Sequence, residues 1–211
     1  MTHRFSPSRR QVLATGIASG LVATGLAAPA AAPVTVEDSM AQRMQACTAC
    51  HGKEGRAARD GYYPRIAGKP AGYLYRQLRA FRDGQRRYAL MGQLLAPLSD
   101  DYLREIAAHF AALDLPYAPG AAPRADTPTL QRGQALAQQG DAARDLPACQ
   151  ACHGTALTGV GADVPGLLGL PVDYLNAQLG AWRTGARQAE APDCMAQIAR
   201  RLSPQDVNAL A

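Results

Sequence analysis

Histidine and cysteine are scarce in this chain of 211 residues, with four of the first and five of the second. No acidic residue occurs among the first 30, and no apolar stretch beyond them is long enough to cross a bilayer as a helix. No basic groove interleaved with aromatic residues is visible, so nucleic-acid binding finds no support. No flavin-binding motif is present either. The formal net charge of +5 is concentrated at the start. Three arginines lie in residues 1–30, and the remaining 19 basic and 17 acidic residues nearly cancel. Residues 33–118 hold 12 basic and 9 acidic groups, whereas 119–211 hold 7 and 8, which makes the N-terminal half the more cationic one.

The start reads as an export leader. MTHRFSPSRR supplies a basic segment, and QVLATGIASGLVATGLAAPAAA an apolar one that ends in small residues. Cleavage is expected after Ala30, with Ala28 and Ala30 at the recognition positions. Ser8-Arg9-Arg10-Gln11 also resembles a twin-arginine signal. The general secretory route and the twin-arginine route both end in the periplasm.

The few cysteines are not scattered. CTACH spans Cys47 to His51, and CQACH spans Cys149 to His153. C-x-x-C-H is the spacing of covalent haem attachment, in which two thiols one helical turn apart add to the porphyrin vinyl groups. The following histidine then ligates the iron. Zinc would need both pairs to converge on one metal and would leave both trailing histidines idle. A thioredoxin-like redox pair would use the thiols alone. The expectation is two haem c groups, on Cys47, Cys50 and His51 and on Cys149, Cys152 and His153.

An internal duplication organises the rest. PAGYLYRQLRAFRDGQRR from Pro70 is matched by PVDYLNAQLGAWRTGARQ from Pro171. Tyr73, Leu74, Gln77, Leu78, Arg82, Gly84 and Arg86 recur as Tyr174, Leu175, Gln178, Leu179, Arg183, Gly185 and Arg187, and Phe81 is matched by Trp182. The apolar members share one helix face, and each helix stops at a glycine. Further on, Ser99 and Ser203 are placed to cap a closing helix, with Pro204 at the first helical position of the second. Each half then reads as a haem helix, a loop, a middle helix, a second loop and a closing helix. The spacing predicts an N-terminal domain over 33–113, a Pro- and Gly-rich linker over 114–126, and a C-terminal domain over 127–211 that opens at Thr127-Pro128. Domains this small bury a limited core, so the haem is expected to complete it.

A haem iron held by one histidine needs a ligand on its far side. Met91 and Met195 hold matched places, each seven residues before Leu98 or Leu202, in the expected second loop. A thioether favours ferrous iron and raises the potential. Met40 and Met44 precede CTACH at helical spacing and read as core contacts, and His109 has no counterpart in the other half. Pro64 and Pro165 lie 13 and 12 residues beyond their histidines, where a backbone carbonyl can take the Nδ1 proton. Arg82, Arg86, Arg183 and Arg187 are candidates to pair with haem propionates. Cys194 directly precedes Met195 and reads as a small buried residue, the alternatives being a ligand that replaces Met195 or a thiol for an intermolecular disulfide.

Together, the two CxxCH motifs, the Y-L-x-x-Q-L helices, the paired methionines and the L-S-D/P closing helices resemble the dihaem cytochrome c4 family over residues 37–211. The resemblance implies an all-α protein of two tandem class I cytochrome c domains related by a pseudo-two-fold axis. It further implies a periplasmic electron carrier, often associated with the membrane, that delivers electrons to a terminal oxidase; a cytochrome bc complex is a candidate donor. Such a carrier is not an enzyme. The alternatives are the cytochrome subunit of a flavin-containing or other periplasmic dehydrogenase, and a dihaem peroxidase with one open iron. The chain departs from the family at Lys69, where glutamine is usual, and has three extra residues between Arg187 and Met195. Its second closing helix is expected to be the shorter one, which would make the second domain the less stable.

Overall fold

A glycine ends each CxxCH helix. Gly52 and Gly154 adopt φ of +76° and +84°, and a Cβ on Gly52 would stand 2.2 Å from the Ala57 carbonyl oxygen. No other residue fits that turn without moving backbone. The computed structural model describes residues 36–58, 61–118 and 125–211. The expected leader over 1–30 and the middle of the expected linker, 119–124, lie outside the described residues.

In the first half, Ser39 caps α1 (Met40–Arg43), which passes through Met44 into α2 (Gln45–His51). α3 (Ala71–Arg82) follows Pro70 and stops before Gly84, whose φ is +79°. α4 (Ala89–Leu95) comes next, and then α5 (Asp100–Ala111), where the Ser99 hydroxyl accepts the Tyr102 N–H at 3.2 Å. The Met44, Leu74, Leu95, Leu103, Ile106, Ala107 and Phe110 side chains meet in one core, with Met40, Leu78, Phe81 and Met91 packed against it. Burying each large apolar side chain of that core contributes about 1.5–3 kcal/mol.

The second half repeats this plan with differences. α6 (Thr127–Gln138) is capped by Asp126 and is a helix of its own, separated from α7 (Cys149–His153) by a 3₁₀ turn at Ala142–Arg144. The first half instead runs its opening helix almost directly into the haem motif. A short antiparallel ribbon follows α7, with β1 (Gly159–Val160) opposite β2 (Val164–Pro165), which helical periodicity does not foretell. α8 (Val172–Thr184) ends at Gly185, α9 (Cys194–Arg201) follows, and α10 (Pro204–Leu210) closes the fold. Ser203 and Asp206 cap α10 reciprocally. α10 has seven residues against twelve in α5. It crosses α6 at Gly133, where a Cβ would lie 2.0 Å from the Ala209 carbonyl oxygen.

Both methionines sit on helices, not in loops: Met91 on α4 and Met195 on α9. The polar runs before them set the start of a new turn of helix. In the second half the Asp193 carboxylate makes the cap, accepting the Ala196 N–H at 2.9 Å.

The halves pack through α3 and α8 and the strands of chain that follow them. Arg86 and Arg187 face each other in an antiparallel bridge. Arg86 donates to Gln77 of its own half at 2.9 Å and to Gln178 of the other at 2.7 Å. Arg187 does the reverse, at 2.9 Å to Gln178 and 2.8 Å to Gln77. Each guanidinium also stacks on its own aromatic ring, Phe81 at 4.3 Å or Trp182 at 3.7 Å. This exchange of equivalent bonds is the pseudo-two-fold axis expressed in side chains. Away from the axis, Arg76 binds Asp163 at 2.5 Å, and Gly72 lets the ribbon turn approach, since a Cβ there would clash with Asp163.

Candidate functional site

The α2 helix places Cys47 and Cys50 one turn apart and ends on His51. In α7, Cys149, Cys152 and His153 stand in the same relation. The first thiol of each pair is half-buried, the second exposed, and all four are free of disulfides. Burial pushes the Cys47 and Cys149 thiols up from their ordinary values. Among the described residues no three His, Cys, Asp or Glu side chains cluster as metal ligands.

Both histidines are held the same way. His51 Nδ1 lies 2.8 Å from the Pro64 carbonyl oxygen, and His153 Nδ1 lies 2.7 Å from that of Pro165. A carbonyl only accepts, so Nδ1 carries the proton and Nε2 keeps its lone pair for a ligand. Burial draws the His153 imidazole below its ordinary pKa, against the pull of the Pro165 carbonyl and with the nearby Lys69 ammonium pushing the same way. Burial and Lys69 both favour the neutral ring.

His51 and Met91 line one cleft, of about 150 Å³, at the junction of the halves. Tyr63, whose hydroxyl meets that of Tyr88 at 3.2 Å, forms part of its wall. Arg86 enters from the first half, and Tyr174 and Arg187 from the second. Met195 packs on the second core beside Trp182, with Leu179, Ala199 and Leu202. His153 is buried, at 6 % exposure. His109 stands on α5 edge-on to Phe110 and belongs to neither site. Cys194, expected to be buried, is exposed at the start of α9, with its thiol 3.6 Å from the Pro192 carbonyl oxygen.

The four arginines separate into two kinds. Arg82 is taken up by Asp100 at 2.7 Å and Asp83 at 2.9 Å, which ties α3 to the start of α5. Arg183 is exposed at the end of α8. Arg86 and Arg187 are buried in the junction and, among the described residues, bind only neutral acceptors. Burial holds the Arg187 guanidinium below its ordinary pKa, with Arg86 adding repulsion. Burial would raise the Tyr174 hydroxyl, but Arg86 and Arg187 outweigh it and draw the hydroxyl down. Two buried guanidiniums, without a carboxylate partner among the described residues, are suited to anions. The Trp182 indole N–H is likewise buried without a partner among the described residues. Buried guanidiniums suit the carboxylates of haem propionates, so the residues present fit the group that the motifs imply. In the sequence Gln77, Gln178, Tyr73 and Tyr174 show only as repeated letters. Their matched recurrence was the available signal for a shared junction.

The arrangement defines an all-α, c-type cytochrome made of two class I cytochrome c domains in tandem. No protein-family model matches the chain. Over 99% of its length it is 35% identical to the thiosulfate dehydrogenase electron acceptor of Thiomonas intermedia (strain K12), covering 91% of that protein. Its fold matches reduced cytochrome c4 from Pseudomonas stutzeri with a TM-score of 0.69 and 31% identity, over 81% of this chain and 92% of that one. A TM-score of 0.70 and 38% identity relate 78% of the chain to the thiosulfate dehydrogenase TsdBA of Marichromatium purpuratum, of which it spans 34%. The chain belongs to the dihaem cytochrome c4 family. It is accordingly an electron-transfer protein with two covalently bound haem c groups.

Proposed function

We propose that the chain is a periplasmic one-electron relay with two His/Met-ligated irons and no catalytic step of its own. Cys47 and Cys50 hold the first haem and Cys149 and Cys152 the second, in domains bounded at 33–113 and 127–211. His51 and Met91 ligate the first iron, and His153 and Met195 the second. When bound, each haem supplies a ferric/ferrous couple. Pro64 and Pro165 orient the histidines through Nδ1 and raise their basicity. Arg86 and Arg187 neutralise propionates at the junction, which keeps the two groups close on either side of the axis. The observation that carries this reading is the shared cleft of His51 and Met91, with His51 Nδ1 fixed by Pro64.

The donor is a periplasmic dehydrogenase that oxidises a small inorganic sulfur anion, and the acceptor a terminal oxidase. The 35% identity across 99% of the chain to an electron acceptor of thiosulfate dehydrogenase favours this donor over a cytochrome bc complex. Among the described residues no helix is long and apolar enough to cross a bilayer.

The visible spectrum of the dithionite-reduced protein tests the ligand assignment. Carbon monoxide should leave it unchanged, whereas the Met91→Ala protein should bind the gas at about half of its haem. Uptake by the unaltered protein refutes closed His/Met irons. Mixing the oxidised protein with thiosulfate dehydrogenase and thiosulfate should reduce both haems, and failure to do so removes that donor.

A further inference from the structure

Two cations of the first half are buried, and one of them reaches into the second half. The Lys69 ammonium, at 3% exposure, donates to the Gly166 carbonyl oxygen at 2.6 Å. The Arg65 guanidinium donates to the Ala67 and Pro116 carbonyls at 3.1 Å and to that of Leu115, and lies 4.4 Å from the Tyr117 ring. Tyr117 in turn packs on Gly169. Among the described residues neither cation forms an ion pair with a carboxylate. The internal repeat aligns PRIAGKP with PGLLGLP, so Pro64 matches Pro165, Arg65 matches Gly166 and Lys69 matches Leu170. The pseudo-two-fold axis is broken here, with charge on one side and an apolar residue on the other.

Gly166 directly follows Pro165, whose carbonyl oxygen fixes His153. We propose that Lys69 is a positioning residue acting across the junction, whose buried charge raises the reduction potential of the second haem without an equivalent effect on the first. This rests on the assignment of His153 and Met195 as the ligands of that iron. A fixed positive charge opposes the extra charge of ferric iron and so favours the ferrous state. The effect is weakly screened because the charge is out of solvent. Arg65 acts in the same sense but spends its donors on its own half.

The test is a spectroelectrochemical titration of the full haem-loaded protein. Met195→His marks the second couple, since imidazole in place of a thioether lowers its potential. Lys69→Met then removes the charge but keeps the stem, and Lys69→Gln keeps a donor for Gly166. Both should shift the reduction equilibrium of the marked couple by about tenfold toward ferric iron, or 59 mV for one electron. The other couple should move far less, and raising the salt concentration should not abolish the difference. Equal shifts of both couples, or no shift, refute the proposal while leaving the ligand assignment intact. If Met195→His moves neither couple, the ligand assignment fails and the proposal falls with it.

Discussion

Asp206 joins three parts of the second half, and replacing it with asparagine isolates the charge from the shape. The carboxylate is 3% exposed. Its Oδ1 accepts Arg132 Nε of α6 at 2.9 Å. Its Oδ2 accepts Arg144 Nη1 at 2.6 Å and the Ser203 N–H at 2.9 Å. Asparagine keeps one oxygen and must turn its NH₂ toward a donor on the other side. If the oxygen stays on Arg132, Arg144 and Ser203 lose their acceptor; if it turns, Arg132 does. A hydrogen bond to a charged group contributes about 1.5–3 kcal/mol. One or two such bonds are lost and the rest weaken to neutral strength, while water reaches the half-exposed arginines and restores part. The expected loss at pH 7 is about 2–3 kcal/mol.

The pH dependence separates this account from simple misfit. Burial would raise the Asp206 carboxyl, but the bonds from Arg144, Ser203 and Arg132 prevail and hold it well below the ordinary 3.8. A depressed folded-state value means that the stabilisation is complete above 3.8 and is lost as the pH falls from there toward the folded value. In guanidinium titrations followed by circular dichroism, Asp206→Asn should cost its full amount from pH 5 to 7, with the gap to the unaltered protein closing below about pH 4. A cost below about 1 kcal/mol at pH 7, or one that does not change on acidification, refutes the reasoning.

Gly133→Ala should destabilise the protein by about 2 kcal/mol or more in the same assay, because the new methyl meets the Ala209 backbone where α6 crosses α10. Gln77→Leu should cost about 2–3 kcal/mol by removing one acceptor from two guanidiniums, and Gln178→Leu should cost a similar amount because the axis makes their places equivalent. A large effect of one glutamine alone would show that the equivalence is only geometric. Burial and the nearby Arg65 lower the Lys69 ammonium from 10.5 to about 8. The unfolded chain therefore holds that proton more tightly, and stability should rise with pH between about 8 and 10.5. Lys69→Met should flatten that rise, as read from denaturation midpoints at steps across the window.

Much of the plan is written locally. The CxxCH spacing, the glycines that end helices, the serine caps and the repeated Y-L-x-x-Q-L face each depend on a few adjacent residues, and they appear where the spacing predicts. Ser99 and Ser203 cap α5 and α10, and Met44 is buried in the first core. Places set by distant partners were not legible. Arg82 and Arg86 lie four residues apart on matched ground, yet one serves Asp100 and the other crosses to Gln178. Nothing near Cys194 in sequence shows that α9 would turn its thiol outward.

The sequence by itself determined two haem-bearing helical halves and the order of their elements, because attachment motifs, caps and helix periodicity are short-range chemistry. Only the tertiary structure decided how the halves meet. Packing α3 and α8 together brings four buried cations, Arg65, Lys69, Arg86 and Arg187, to one junction from positions up to 122 residues apart. It gives Arg86 and Arg187 to the axis and Lys69 to the second half alone. Charge buried at a junction takes its effect from what is folded against it, and no stretch of chain contains that.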